Sequence, residues 1–377
     1  QPVALEHARR LLALAGGWGL AELIRRARTA PVSRRMMLTG LLLLVYLLAR
    51  VDWVGFTPNR SRWHDERRRT WLAAGRARDG IADLERWLQR HPDDAPGHYH
   101  LGILLFDTGR VHEAEQAFAR AVQEDPSFSP AWYNLGLALL ARADGKAAAD
   151  ALRRRIAMAQ DDDDAWYALA RALRLSRDLA GEEQALRETL RIRPEHAAAL
   201  NELGALLLQT RRAAEAVEVL RTAQALRPDD PDFRFNLARA LAQTRSTDEA
   251  ISLFRDLLAG REDPDLWRNL GYALAAAGQD QEAVTAFRRA LESGVQDPGV
   301  LSALAVSLDR MEETEQADAA VRQALALDPD CAVCWFNWAR ILERRGQQTQ
   351  ARRACEAALA RDPALDGALL ALGLSLL

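Results

Sequence analysis

A large apolar residue followed by a small one returns about every 34 positions: Leu101-Gly102, Leu135-Gly136, Leu169-Ala170, Leu203-Gly204, Leu237-Ala238, Leu270-Gly271, Leu304-Ala305, Trp338-Ala339 and Leu372-Gly373. Twelve residues after the small position comes a second one, at Ala114, Ala148, Ala216, Ala250, Ala283, Ala317 and Ala351. Four further on stands a bulkier side chain: Phe118, Leu152, Leu186, Leu220, Phe254, Phe287, Val321 or Cys355. Pro92, Pro126, Pro194, Pro228, Pro329 and Pro363 close units, as suits a residue that lacks an amide and turns its predecessor away from helix. The pattern predicts two helices per unit, each unit burying one face alone and gaining stability by stacking on its neighbours. Small residues are expected where two helix backbones cross. Trp132, Trp166, Trp267 and Trp335 share a position four before the small residue, where a large ring can bury against the adjacent helix.

This repeat resembles the tetratricopeptide (TPR) repeat, whose unit is a pair of antiparallel helices; Ala131-Trp132-Tyr133-Asn134-Leu135-Gly136 carries the likeness most clearly. The resemblance covers roughly residues 61–377 and implies an all-α helical-hairpin solenoid of about eight repeats plus a partial ninth. Residues 95–377 are assigned to the array and residues 58–94 to a linker and degenerate capping repeat, in which Arg68 stands at the Gly position. Elsewhere Glu182 replaces the expected Ala, Arg155 and Thr189 replace small residues, and Gln160, Glu262 and Val295 replace the closing proline. Local weakness or a changed pitch is expected around residues 155–190. The final segment, Ala364 to Leu377, carries one charge, Asp366, and so predicts further sequence or a partner covering that end.

Ahead of the repeats, Met36 to Ala49 is free of charge, and extension to Phe56 gives 21 residues that include Arg50 and Asp52. About 20 apolar residues span a bilayer, and Tyr46, Trp53 and Phe56 suit its interface. We read residues 34–57 as a transmembrane helix, with membrane lipid contacted through residues 36–56. A buried core helix is the alternative, and a signal peptide fits poorly because about 35 residues precede the run. Residues 1–33 read as an amphipathic juxtamembrane segment around Trp18. Arg25, Arg26, Arg28, Arg34 and Arg35 outnumber Arg50, Arg60 and Arg62, which favours a cytoplasmic N-terminus and a periplasmic array at a bacterial inner membrane.

Composition narrows the function. A net charge of −3 argues against a nucleic-acid partner. No phosphate-cradling glycine loop and no nucleophile motif is present, so neither an enzyme nor a cofactor is expected. Cys331-Ala332-Val333-Cys334 lacks the second pair a zinc site needs and the following His that haem attachment needs. The pair is read as packing, with a local disulfide as the alternative, and Cys355 as core. His98 and His100 point to different faces of a helix, which makes a metal site among His91, His98, His100 and His112 poor. Asp161-Asp162-Asp163-Asp164 reads as a capping run.

The TPR resemblance implies that the first helix of each unit lines a concave groove. Candidate partner-binding residues there are Tyr99, Phe106, Tyr133, Asn134, Tyr167, Arg171, Phe235, Asn236, Arg239, Arg268, Asn269, Phe336, Asn337 and Arg340. The asparagines resemble the ladder with which some TPR proteins grip peptide backbone, although Tyr and Asn are also repeat consensus. The expected function is a non-catalytic, membrane-anchored scaffold or assembly factor that binds an extended or helical segment of a protein partner, such as a membrane-complex subunit. Two alternatives stand beside it: the TPR portion of a larger membrane glycosyltransferase or oligosaccharide ligase, and a cytoplasm-facing adaptor for envelope synthesis.

Overall fold

The computed structural model describes residues 60–365, apart from 245, together with residue 368. The segment 1–33, the expected membrane helix at 34–57 and nearly all of the partial ninth unit lie outside the described residues. None of the described helices is long and apolar enough to cross a membrane.

Among the described residues the regular structure is helical throughout, in two compact units divided between Phe128 and Ser129. The first holds α1 (Arg60–Ala73), α2 (Ala77–Leu88), α3 (Ala95–Asp107) and α4 (Val111–Glu124). The second begins with α5 (Ser129–Ala141), α6 (Gly145–Met158), α7 (Asp163–Leu175), α8 (Leu179–Ile192), α9 (Ala197–Gln209) and α10 (Ala213–Leu226). It continues through α11 (Pro231–Gln243), α12 (Thr247–Gly260), α13 (Pro264–Ala276), α14 (Asp280–Glu292), α15 (Pro298–Arg310), α16 (Thr314–Leu327), α17 (Ala332–Arg344) and α18 (Gln348–Arg361). Odd-numbered helices are the first, or A, helix of each hairpin. In the second unit each A helix packs on its own B helix, each B helix packs on the A helix that follows it, and most A helices also touch the next A helix. Arg60–Ala73 is the first helix of the degenerate unit that carries Arg68 at the Gly position.

Local chemistry sets these boundaries. Asp94, Asp162, Asp230, Asp263 and Asp297 precede A helices, and each carboxylate accepts from a backbone N–H of the first turn. Pro231, Pro264 and Pro298 open helices, where a missing amide costs nothing. The turn from A to B helix passes through a left-handed residue: Gly109, Ala143, Arg177, Arg211, Gly278, Glu312 or Gly346.

The core lies between the two helices of each hairpin and continues between neighbouring hairpins, as where Phe233 of α11 joins Ala197, Leu200 and Ala223. Phe118, Leu152, Leu186, Leu220, Phe254 and Phe287 are fully buried, as are Ala114, Ala148, Ala216, Ala250, Ala283 and Ala317. The structure corrects the reason for the small A-helix residue. A Cβ at Gly102 would sit 2.6 Å from Phe118 Cε1, one at Gly136 2.6 Å from Leu152 Cγ, and one at Gly271 2.6 Å from Phe287. The bulky B-helix side chain, and not a crossing backbone, fills the space. The expected tryptophan burial is partial: Trp166 and Trp335 are half-buried, and their Nε1–H groups donate at 2.9 Å to the carbonyls of Gln160 and Pro329.

The departures in residues 155–190 leave α6, α7 and α8 at 14, 13 and 14 residues. Thr189 donates its hydroxyl to the Ala185 carbonyl at 2.9 Å. Arg155 reaches Ser129 Oγ at 2.5 Å and Asp162 at 2.6 Å. Glu182 is 3% exposed, and its carboxyl lies 3.5 Å from the Arg174 guanidinium.

Candidate functional site

The second unit presents a run of A helices whose candidate residues meet across adjacent helices. On α11, Asn236 donates to Asn201 Oδ1 of α9 at 3.0 Å, and the Arg239 guanidinium lies over the Phe235 ring at 5.7 Å. Three hairpins later the arrangement recurs. Asn337 of α17 donates to Ser302 Oγ of α15 at 2.9 Å, and Arg340 lies over Phe336 at 6.0 Å. Phe235 also meets Phe254 edge to face at 6.1 Å, so its ring is fixed from the core side and half-exposed on the other. Burial, with Arg268 close by, lowers the affinity of the Arg239 guanidinium for its proton.

Farther up the same unit, Tyr167 donates its hydroxyl to Glu202 Oε1 at 2.7 Å, and Arg174 donates to Glu202 Oε2 at 2.5 Å. Burial and then the bond to Glu202 push the Tyr167 phenol well above its ordinary value, so it stays a donor. Burial likewise raises Tyr133. Arg171 is exposed. Asn134 and Asn269 each donate a side-chain N–H to a carbonyl of their own helix, Pro130 at 3.0 Å and Asp265 at 2.7 Å. Arg268 pairs with Asp265 at 2.8 Å. Asn236 and Asn337 are thus bridges between helices. In the first unit, Tyr99 packs on Phe128 at 5.1 Å and on Phe118 at 6.0 Å, and Phe106 is half-buried. Sequence reasoning missed Asn201, Glu202 and Ser302, the partners that fix this face.

The remaining candidates resolve plainly. Cys331 and Cys334 are joined by a disulfide, which corrects the reading of the pair as packing. The two Cα atoms stand 5.3 Å apart, within the reach of a bridge. Cys355 is free and buried, as its core position implies. Asp162 caps α7 by accepting from Ala165 N at 3.1 Å. Ligand atoms of Asp163, Asp164 and His196 lie within 4.8 Å of one another, but the Arg193 guanidinium pairs with both carboxylates and makes this an ion-pair cluster. The His98 ring lies 2.9 Å from the Pro92 carbonyl, and His100 is buried.

Models of the tetratricopeptide repeat match residues 71–127, 183–231, 201–266, 235–299 and 302–366, and a second such model matches 107–173. The chain belongs to the tetratricopeptide repeat family. This fold serves generally as a scaffold for protein–protein interaction. No curated protein matches this chain in sequence. Among solved structures, the Cut9–Hcn1 hetero-tetramer of the APC/C is 15% identical with a TM-score of 0.50, covering 80% of this chain and 59% of that one. PilF of Pseudomonas aeruginosa is 22% identical with a TM-score of 0.45, covering 56% and 96%. MamA of Desulfovibrio magneticus RS-1 is 22% identical with a TM-score of 0.42, covering 46% and 98%. At these identities the likeness concerns the fold alone.

Proposed function

We propose that this TPR protein is a membrane-tethered scaffold whose A-helix face captures an extended or helical segment of a protein partner. The observation that carries the reading is the recurrence, three hairpins apart, of one constellation: Phe235, Asn236, Arg239 with Asn201, and Phe336, Asn337, Arg340 with Ser302. Each constellation presents a half-exposed ring, a cation and an amide with a second N–H and a further lone pair to offer, although Asn236 Oδ1 already accepts from Arg239 at 3.4 Å. Together they can hold an apolar side chain, a carboxylate and a peptide backbone. Interhelical bonds hold these groups in place before the partner arrives, which lowers the cost of ordering them on binding.

The charge-free run within residues 36–56 supports a single membrane anchor, and the arginine excess ahead of it supports a periplasmic array at a bacterial inner membrane. A tether of this kind raises the effective concentration of the array near membrane partners. The test is co-purification from native membranes with Phe235→Ala and Phe336→Ala introduced together. Loss of a specific partner with unchanged helix content supports the reading; retention of every partner refutes it. Protease protection in spheroplasts reads the sidedness: a shielded array would place it in the cytoplasm instead.

A further inference from the structure

We propose that Cys331 and Cys334 form a thiol–disulfide exchange site that oxidises a cysteine pair in a partner protein. The disulfide spans the first turn of α17: Cys331 is the N-cap residue, and its Sγ accepts the Cys334 N–H at 3.1 Å. Cys331 is partly exposed and Val333 beside it is 50% exposed, whereas Cys334 is 1% exposed among Leu301 and Ala324. One sulfur is thus open to attack and the other shielded. Capping does not explain the cysteine. The same position before α3, α7, α11, α13 and α15 carries Asp, a far stronger acceptor than sulfur. Stapling does not explain it either, because a bridge between residues three apart closes the kind of short loop that constrains the unfolded chain least.

The surroundings provide for both products of reduction. A thiolate on Cys331 lies at the positive end of the α17 dipole. Asp330 opposes that charge, but Arg361 pairs with Asp330 at 3.4 Å and offsets it. Cys334 Sγ lies 3.4 Å from the Pro298 carbonyl oxygen, an acceptor for the S–H once that sulfur is protonated.

The steps balance. A partner thiolate attacks Cys331 Sγ, the Cys331–Cys334 bond breaks, and its electron pair goes to Cys334 Sγ, which takes up a proton. A second partner thiolate then attacks the partner sulfur of the mixed disulfide and expels Cys331 as a thiolate. The partner's two thiols become one disulfide, losing two electrons and two protons; the cysteine pair gains both electrons and one proton, and the other proton passes to solvent. The site stands independently of the A-helix face, since exchange requires only access to Cys331.

The test uses the full chain in reduced and oxidised glutathione buffers, with alkylation and mass spectrometry as readout. In the native protein, millimolar reduced glutathione should open the bridge. Reduced Cys331 should alkylate at neutral pH about tenfold faster than free cysteine, with Cys355→Ala unchanged. In Cys334→Ser, Cys331 should hold glutathione as a stable mixed disulfide, and the wild type should oxidise a reduced dithiol peptide. A bridge that resists glutathione until the chain is denatured overturns the proposal. So does a reduced Cys331 no more reactive than free cysteine. Both readouts need only the wild-type chain.

Discussion

His64 Nε2 lies 2.9 Å from Asp94 Oδ2, and neither side chain has any surface open to solvent. The same oxygen accepts the Trp87 indole N–H at 2.7 Å, and the other carboxylate oxygen accepts the Gly97 amide that starts α3. One carboxylate therefore ties α1 to α2 and α3 within the first unit.

That tie predicts acid sensitivity. Burial alone would raise the Asp94 carboxyl, but the bonds from His64 and Trp87 outweigh it and bring the value down to about 2. A depressed folded value stabilises above the unfolded value of 3.8, and the contribution is lost as pH falls from there towards 2. About 2 kcal/mol should disappear over that window. Hydrogen exchange on α1–α3 amides should accelerate there in the wild type. In Asp94→Asn it should already be fast at neutral pH; equal protection at both would remove Asp94 from this role.

Glu182 should act in the opposite direction. Burial pushes its carboxyl up, with Arg174 counteracting only in part. A raised folded value means that the protonated form is favoured: stability is present below the unfolded value of 4.5 and lost as pH rises through the folded one. At neutral pH the charge is a cost, so Glu182→Gln should raise the urea midpoint by an amount equivalent to about 1 kcal/mol. The gain should shrink as pH falls towards 4.5. A destabilised Gln variant would show that the Arg174 pair is worth more than its burial costs.

Gly271 and Phe287 should prove coupled. An added Cβ would stand 2.6 Å from the Phe287 ring, so Gly271→Ala should cost about 1 kcal/mol despite alanine's better helix propensity. The ring can yield somewhat, since Ala238 stands at the matching position ahead of Phe254. Phe287→Leu alone should also destabilise. Combined with Gly271→Ala it should recover part of the loss, giving a double-mutant coupling above about 0.5 kcal/mol. Additive losses would mean that the two do not share space.

The helical hairpins were legible because the repeat states its own period, and small and bulky positions recur with it. The cross-helix contacts were less so. Asn236 to Asn201, Asn337 to Ser302 and Tyr167 to Glu202 are each 35 residues apart, one more than the usual repeat. That extra residue reflects how one A helix is rotated against the next, which hydrophobic spacing does not report. Shifting the sequence by the repeat plus one would have found all three. The His64–Asp94 tie had no such signal, because it lies in the unit where Arg68 breaks the consensus. Cys331 and Cys334 were visible as a pair, but their bonding depended on where α17 begins.

The most direct test of the scaffold reading is photo-crosslinking in native membranes. A reactive side chain would be placed in turn at Phe235 and Phe336 on the A-helix face, and at Arg221 and Arg255 on B helices. The account predicts one shared adduct from Phe235 and Phe336 and none from Arg221 or Arg255. Equal adducts from both sets, or none from the phenylalanine positions, would contradict it.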